Sequence, residues 1–243
     1  MCKWLPDKKM INTYNETALH RSLKNFYLVQ EDGSRAEFNT GHYIADIVRP
    51  DGSIVEIQTG SLSHLKPKLT EFLSLKKKVT VVYPLVTLKY IETLHTDLKI
   101  SKKKSPKKLQ LYDMFKELTG IATLLNNKHL YLEVVEVSIT EERRQTEVPV
   151  QTQNGRRRFK KNWIKTGKRL ESVGTIHRFK TKGDWLKLLP PSKEFTVKEC
   201  REELLQKGLS LTQEQVSLML WVYAHAGFLS RTKTGRAYLY HKQ

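Results

Sequence analysis

The amino-acid sequence predicts a mixed α/β protein (α+β in arrangement) with a smaller unit of helices and strands at its C-terminus. Three observations carry this. Over the first eighty-odd residues, apolar side chains recur at helical spacing, then alternate as in strands, then return to helical spacing before a compact Val-rich run. The turn Pro50-Asp51-Gly52 lies between two strand-like stretches and marks a hairpin. After Pro190-Pro191, two capping-box signatures follow one another and a basic turn comes near the end of the chain.

Taken in order, Thr13 to Val29 puts Leu19, Leu23, Phe26 and Tyr27 on one helical face, and Thr13-x-x-Glu16 has the form of a capping box. The polar turn Glu31-Asp32-Gly33-Ser34 leads into a short strand over Arg35 to Phe38. His42 to Val48 and Ser53 to Thr59 are the hairpin strands. Ser61 to Leu75 carries Leu62, Leu65, Leu69, Phe72 and Leu73 as a second helix, with Pro67 tolerated in its first turn. Lys78 to Tyr83 reads as a strand buried on both faces. A hairpin followed by a helical crossover to a parallel strand gives a mixed sheet in the order αβββαβ. Further on, Lys89 to Leu94 is strand-like, Gln110 to Leu125 amphipathic and helical, and Leu130 to Ile139 a long alternating strand. The basic block after Gln151 reads as a loop or loosely held arm. Phe195 to Leu205 and Thr212 to Leu229 open with Thr196-x-x-Glu199 and Thr212-x-x-Gln215 and form two helices. Arg231 to Arg236 is a basic hairpin turn with a returning strand over Ala237 to Tyr240. The expected division is a core over 1–150, a basic connecting arm over 151–184 and a small domain over 185–243.

Composition narrows the function. Lys and Arg number 43 against 25 Asp and Glu, a net charge of +18, which points to polyanions. The excess is clumped. Lys99, Lys102, Lys103, Lys104, Lys107 and Lys108 stand within ten residues free of acids. A second block runs Arg156-Arg157-Arg158-Phe159-Lys160-Lys161-Asn162-Trp163, where aromatic rings interleave with cations as they do at nucleic-acid surfaces. A solvated, mobile loop explains a single such run equally well. The two cysteines, Cys2 and Cys200, exclude a disulfide framework and a Cys-based zinc site. No apolar run has the length of a membrane-spanning helix, and the first ten residues lack a signal-peptide core, so a cytoplasmic protein without a membrane partner is expected.

The stretch from His42 to Thr59 carries the chemistry. Strand alternation puts Ile44, Asp46 and Val48 on one face, and Ile54, Glu56 and Gln58 on one face of the next strand. Apolar residues on both faces make this pair central, where Asp46 and Glu56 are costly unless their charge is compensated. A divalent cation would compensate it. Two neighbouring carboxylates suit Mg²⁺ or Mn²⁺, whose remaining positions take water and substrate phosphate. Such an ion polarises a scissile phosphate and acidifies an attacking water.

On these residues and this succession of elements, the chain resembles the PD-(D/E)xK nuclease superfamily, with its restriction-endonuclease-like fold, over about residues 13 to 84. The resemblance implies that Asp46 and Glu56 are metal ligands and that Glu16 is an additional acid on the first helix. Ala45 stands where a Pro often precedes the Asp, and Gln58 stands where the family usually has Lys, though some of its restriction enzymes use Gln. Glutamine can position a water or lend its carbonyl to a metal, but it brings neither a positive charge nor a useful proton acceptor. Roughly fifty residues at the C-terminal end resemble a winged helix. That implies Gln213, Gln215 and Ser217 at a major groove and Arg231, Lys233 and Arg236 at phosphates.

The implied function is a Mg²⁺-dependent DNA endonuclease leaving a 5′-phosphate, with Lys66, Lys68 and the two basic blocks on the backbone. RNA as substrate and pairing of two copies to cut both strands stay open. The rival is a non-catalytic nucleic-acid-binding regulator, favoured by Gln58. An adaptor for an acidic protein explains the charge but leaves Asp46 and Glu56 without a reason. Each residue also has a purely structural role open to it. Glu16 can serve the capping box, Asp46 and Glu56 can pair with a buried cation, Gln58 can be a satisfied core amide, Lys66 and Lys68 can decorate a helix, and His20 and His42 can be supporting groups.

Overall fold

The computed structural model describes residues 17–151, 158–235 and 237–243. Glu16, Arg156, Arg157, Arg236 and the expected capping box at Thr13 lie outside the described residues. Helix α1 (Ala18–Leu28) opens behind Thr17, whose hydroxyl accepts the His20 N–H, and it buries Leu19, Leu23 and Tyr27. Strands β1 (Arg35–Asn39), β2 (Ile44–Val48) and β3 (Ile54–Ile57) form an antiparallel meander, with Gly52 at φ +77° in the tight β2–β3 turn. A 3-10 turn, Leu62–Leu65, runs into α2 (Lys66–Ser74), with Pro67 where a helix start tolerates it. The crossover lays β4 (Val79–Leu94) parallel to β3, Ile54 opposite Val79.

β4 unites the two strands expected at Lys78 to Tyr83 and Lys89 to Leu94. Pro84 does not break it, for a geometric reason. The Val82 carbonyl accepts the Gln58 N–H on the β3 edge, so by alternation Pro84 faces that same edge beyond the last residue of β3. No ladder bond is lost there. β5 (Ile100–Lys104) then pairs with the outer end of β4. The helix expected over Gln110 to Leu125 is broken into a 3-10 turn at Leu111–Met114, α3 (Phe115–Leu118) and a second 3-10 segment, Thr119–Leu124, kinked at Ile121. Gly120 seats this segment against the backbone of Ser63, where a Cβ would lie only 2.7 Å from Ser63 Cα.

β6 (Leu130–Val150) runs parallel to β4 and β7 (Lys161–Phe179) returns antiparallel, so the main sheet has the order β1-β2-β3-β4-β6-β7. From Lys161 onward the basic block is therefore strand rather than loop. Its alternation is broken by register shifts, and its backbone pairing comes from β6, the strand before it in the chain. α4 (Lys182–Leu186), β8 (Glu194–Phe195), α5 (Val197–Gln206), α6 (Gln213–His225), β9 (Leu229–Thr234) and β10 (Ala237–Lys242) complete the chain. They include a second, three-stranded antiparallel sheet ordered β8-β10-β9. The expected capping boxes at Thr196 and Thr212 both form, and α6 stops at His225 ahead of Gly227, φ +73°.

The sheet is buried on both sides. α1 covers Ile47, Val55, Ile57, Val82, Val135 and Val137. The other face carries Ile54, Val79, Val81, Leu132 and Val134 beneath α2, α3 and the C-terminal elements in one continuous cluster. Trp185 joins the two parts: it stacks on Phe179 at 4.4 Å, and its carbonyl accepts the Tyr223 hydroxyl at 2.6 Å. The C-terminal unit thus shares its core with the main sheet. Among the described residues, no helix is long and apolar enough to cross a membrane.

Candidate active site

β2 and β3 part where their two acids stand. Their backbone register runs through Val48↔Ile54 and Ile47↔Val55 and stops there. Side chains take over the ladder: Asp46 Oδ2 accepts the Ile57 N–H at 2.8 Å, and Glu56 Oε1 accepts the Asp46 N–H at 3.3 Å. Each carboxylate is held by the backbone of the opposite strand, which fixes both at one point in the sheet. The hairpin turn sets the register and the strand pleat brings Asp46 opposite Glu56.

Two helices reach this point from either side. His20, on α1, places Nε2 3.3 Å from Asp46 Oδ2. Lys68, in the first turn of α2, donates to Glu56 Oε2 at 2.5 Å. Glu56 is 1% exposed and Lys68 15%, so this ion pair is largely out of water. Burial, then the neighbouring Asp46 charge, pushes the Glu56 carboxyl up to about 7 against the pull of Lys68. Asp46 is also burdened by burial, yet the hydrogen bonds from His20 and the Ile57 N–H hold it below its ordinary value. Two neighbouring carboxyls are thereby driven apart in acidity, a pattern of catalytic acid pairs.

Sequence reading placed Asp46 and Glu56 together and the structure brings them together. It places Gln58 elsewhere. Gln58 lies just past β3, and its amide donates to the Ser61 carbonyl at 3.0 Å, tying down the turn into α2. The ammonium group beside Glu56 comes instead from Lys68, expected on the sequence only as a phosphate contact or helix decoration. Lys66 is exposed. His42 is 88% exposed, with Nδ1 3.4 Å from Glu71 Oε2, away from the acids. Sequence reasoning missed Lys24, one helical turn beyond His20, which is buried and donates to Glu37 Oε1 at 2.9 Å. A lysine within the apolar stripe of α1 was the available signal. Glu37 itself sits at φ +51°, in the left-handed region, between the paired residues Ala36 and Phe38 of β1.

Among the described residues, no group of three or more His, Cys, Asp and Glu side chains is placed so that all could hold one metal ion. The donor set is two carboxylates. Its chemistry fits a hard dication that keeps several waters, and none of the contacts above uses Asp46 Oδ1.

The remaining predicted residues spread over other surfaces. Lys102, Lys103 and Lys104 lie on β5, all exposed. Arg158, Lys160 and Lys161 are exposed, and Trp163 lies half-buried beneath Arg143, 3.8 Å from its ring, and Lys161 at 5.3 Å. Gln213 is exposed and Ser217 half-buried at the start of α6, whereas Gln215 spends its amide on its own cap and on Asp113 Oδ1 at 2.9 Å. Arg231 and Lys233 project from β9, with Arg231 4.9 Å from the Tyr238 ring.

Residues 17–180, the stretch from the cap of α1 to the end of β7, match the model of a domain of unknown function, DUF8091. An uncharacterized protein of Treponema pallidum (strain Nichols) is 32% identical over 234 residues, the match covering 96% of this chain and 88% of that one. No solved structure matches. The chain belongs to the DUF8091 family.

Proposed function

We propose that this protein is a divalent-metal-dependent DNA endonuclease of PD-(D/E)xK type, in which Lys68 supplies from α2 the ammonium group that Gln58 lacks. One observation carries the reading: Asp46 and Glu56, from adjacent central strands, meet with Lys68 at one point where the β2–β3 ladder opens. The order αβββαβ with β3 and β4 parallel supports it, as do the charge of +18 and the basic strands. Asp46 and Glu56 would hold Mg²⁺ or Mn²⁺, which when bound supplies Lewis-acid polarisation of the phosphate and acidification of the attacking water. His20 orients the Asp46 carboxylate through its hydrogen bond. Lys68 favours the ionised form of Glu56 against burial and the Asp46 charge, and stands ready to stabilise charge developing on a phosphate beside it. The C-terminal unit, read as a winged helix, would lend Arg231 and Lys233 of the β9–β10 hairpin to the DNA backbone, with Gln213 exposed at the start of α6.

A second reading is favoured by a specific observation. Lys68 already pairs with Glu56 and His20 hydrogen-bonds Asp46, so both carboxyls have partners without a metal. On that reading the chain binds nucleic acid without turnover. Incubating supercoiled and linear DNA with the protein and Mg²⁺ or Mn²⁺, beside Asp46→Asn and Glu56→Gln, separates the two. Cleavage that both substitutions abolish supports the endonuclease. Undiminished cleavage in both removes the site assignment, and tight, salt-sensitive binding without cleavage favours the second reading.

A further inference from the structure

The outer parts of β4, β6 and β7, together with β5, form a four-stranded arm that continues past the end of β3. β3 leaves β4 at Val82, opposite Ile57, while β4 runs on to Leu94. The two faces of this arm differ in charge. On one, Arg169 is surrounded by Glu142 at 2.6 Å, Glu171 at 3.3 Å and Glu92 at 3.5 Å, and Lys102 lies 4.0 Å from Glu171. Charges on that face are close to balance.

The other face continues the α1 side of the sheet, since Glu141 and Arg143 alternate on from Val135, Val137 and Ile139. Between Ile139 and Gln145 of β6, Glu141 is the carboxylate this face carries. It contacts Lys89 at 3.4 Å and Arg143 at 2.5 Å, and Lys168 stands opposite it in register. The β6–β7 register shifts between Glu142↔Gly167 and Arg143↔Lys165, so Thr166 bulges and Lys165 turns to the same face as Lys168. Four cations therefore gather over one acid. Desolvation, then the charge of Lys168, brings Lys165 down to about 8.

Two features indicate what such a face fits. The Trp163 ring, on the same face opposite Gln145, is already covered by Arg143 and Lys161, so an unpaired base has no open platform there. Cations fixed along paired strands instead match the regularly spaced phosphates of a duplex. Nine residues separate Val82 from Ile91, the β4 partner of Glu141, which at a strand's rise is about 30 Å and close to one turn of B-DNA, about 34 Å.

We propose that this face of the arm docks the backbone of duplex DNA about one helical turn from the Asp46–Glu56 pair. The distance to a cut rests on the endonuclease reading above, whereas the docking does not. The test is fluorescence anisotropy of a labelled duplex of about 30 base pairs (about three turns) in the presence of EDTA, for the full chain and three variants. Lys165→Gln/Lys168→Gln is the mild pair, Lys165→Glu/Lys168→Glu the severe one, and Arg144→Glu reverses charge on the opposite face; circular dichroism verifies folding in each. The mild pair is expected to weaken binding about tenfold and to lower the salt slope by about 2, the severe pair more, and the opposite-face variant, which removes as much positive charge as the mild pair, to change affinity less than about threefold. Unchanged binding by the mild pair, equal losses from both faces, or tighter binding of single-stranded DNA or duplex RNA of the same length overturns the proposal. If the mild pair binds as the full chain does while cleavage still requires Asp46, the docking fails alone. If the docking holds while the full chain cleaves no DNA with Mg²⁺ or Mn²⁺, the endonuclease reading fails alone.

Discussion

Replacing Lys68 by methionine asks whether its ammonium is what makes an ionised Glu56 tolerable inside the sheet. Methionine keeps an aliphatic stem beside Phe72 and removes only the charge. Glu56, 1% exposed, is then left without a cationic partner. Stripping one partner from a buried pair costs about 3–5 kcal/mol when the remaining charge has no escape. Glu56 has one, because it can take a proton: its carboxyl already stands at about 7 rather than the ordinary 4.5. A carboxyl raised on folding contributes stability at low pH, and that contribution is lost as pH climbs from 4.5 through about 7. In Lys68→Met the carboxyl rises further, so above about pH 7 the variant holds up to one more proton than the wild type. The stability gap should open by about 1.4 kcal/mol per pH unit from about pH 7 upward, and be small near pH 5. Urea unfolding at pH values spanning about 5 to 9 reads this directly. The double variant Lys68→Met/Glu56→Gln should show no such pH dependence. A Lys68→Met gap of one size at both ends of the range would refute the coupling.

Three further outcomes follow from packing and capping. Gly120→Ala drives a methyl to 2.7 Å from the Ser63 backbone, and calorimetry should show a loss of about 1–3 kcal/mol. Tyr223→Phe removes the donor to the Trp185 carbonyl inside the shared core and should cost about 1–2 kcal/mol in urea unfolding; a neutral result would mean the hydroxyl bond is idle. Thr212→Ala strips the cap of α6 and should lower stability by about 1 kcal/mol, whereas Thr212→Ser should restore most of it, both read by thermal melting.

Much of the fold was legible because its signals are local. The β2–β3 hairpin announces itself in Pro50-Asp51-Gly52, and the caps of α5 and α6 in Thr196-x-x-Glu199 and Thr212-x-x-Gln215. The meeting of Asp46 and Glu56 was legible for the same reason, since pleat and turn together dictate which side chains face one another. The long strands were not. β4 was read as two pieces, Lys78 to Tyr83 and Lys89 to Leu94, and only the place where β3 ends shows that this edge asks nothing of the Pro84 between them. β7 was read as a loop because register shifts against β6 set Leu170, Val173 and Ile176, which share one face, three residues apart rather than two, so no strand alternation shows in the sequence. Lys68 illustrates the same limit at the site. Its distance from Glu56 is set by how α2 packs on the sheet, which no spacing of residues states. Gln58 pointed the other way, since its place beside Glu56 in sequence suggested chemistry while its amide serves a turn.

The central claim is that Asp46 and Glu56 are held together, at an electrostatic cost, in order to share a divalent cation. Calorimetric titration of Mn²⁺ into the wild type, Asp46→Asn and Glu56→Gln tests it without depending on any substrate. The account predicts one binding event per chain in the wild type and its loss in both variants, with all three folded. Absence of binding in the wild type, or equal binding in all three, would mean that Lys68 and His20 already complete the site and that the two acids serve the fold alone.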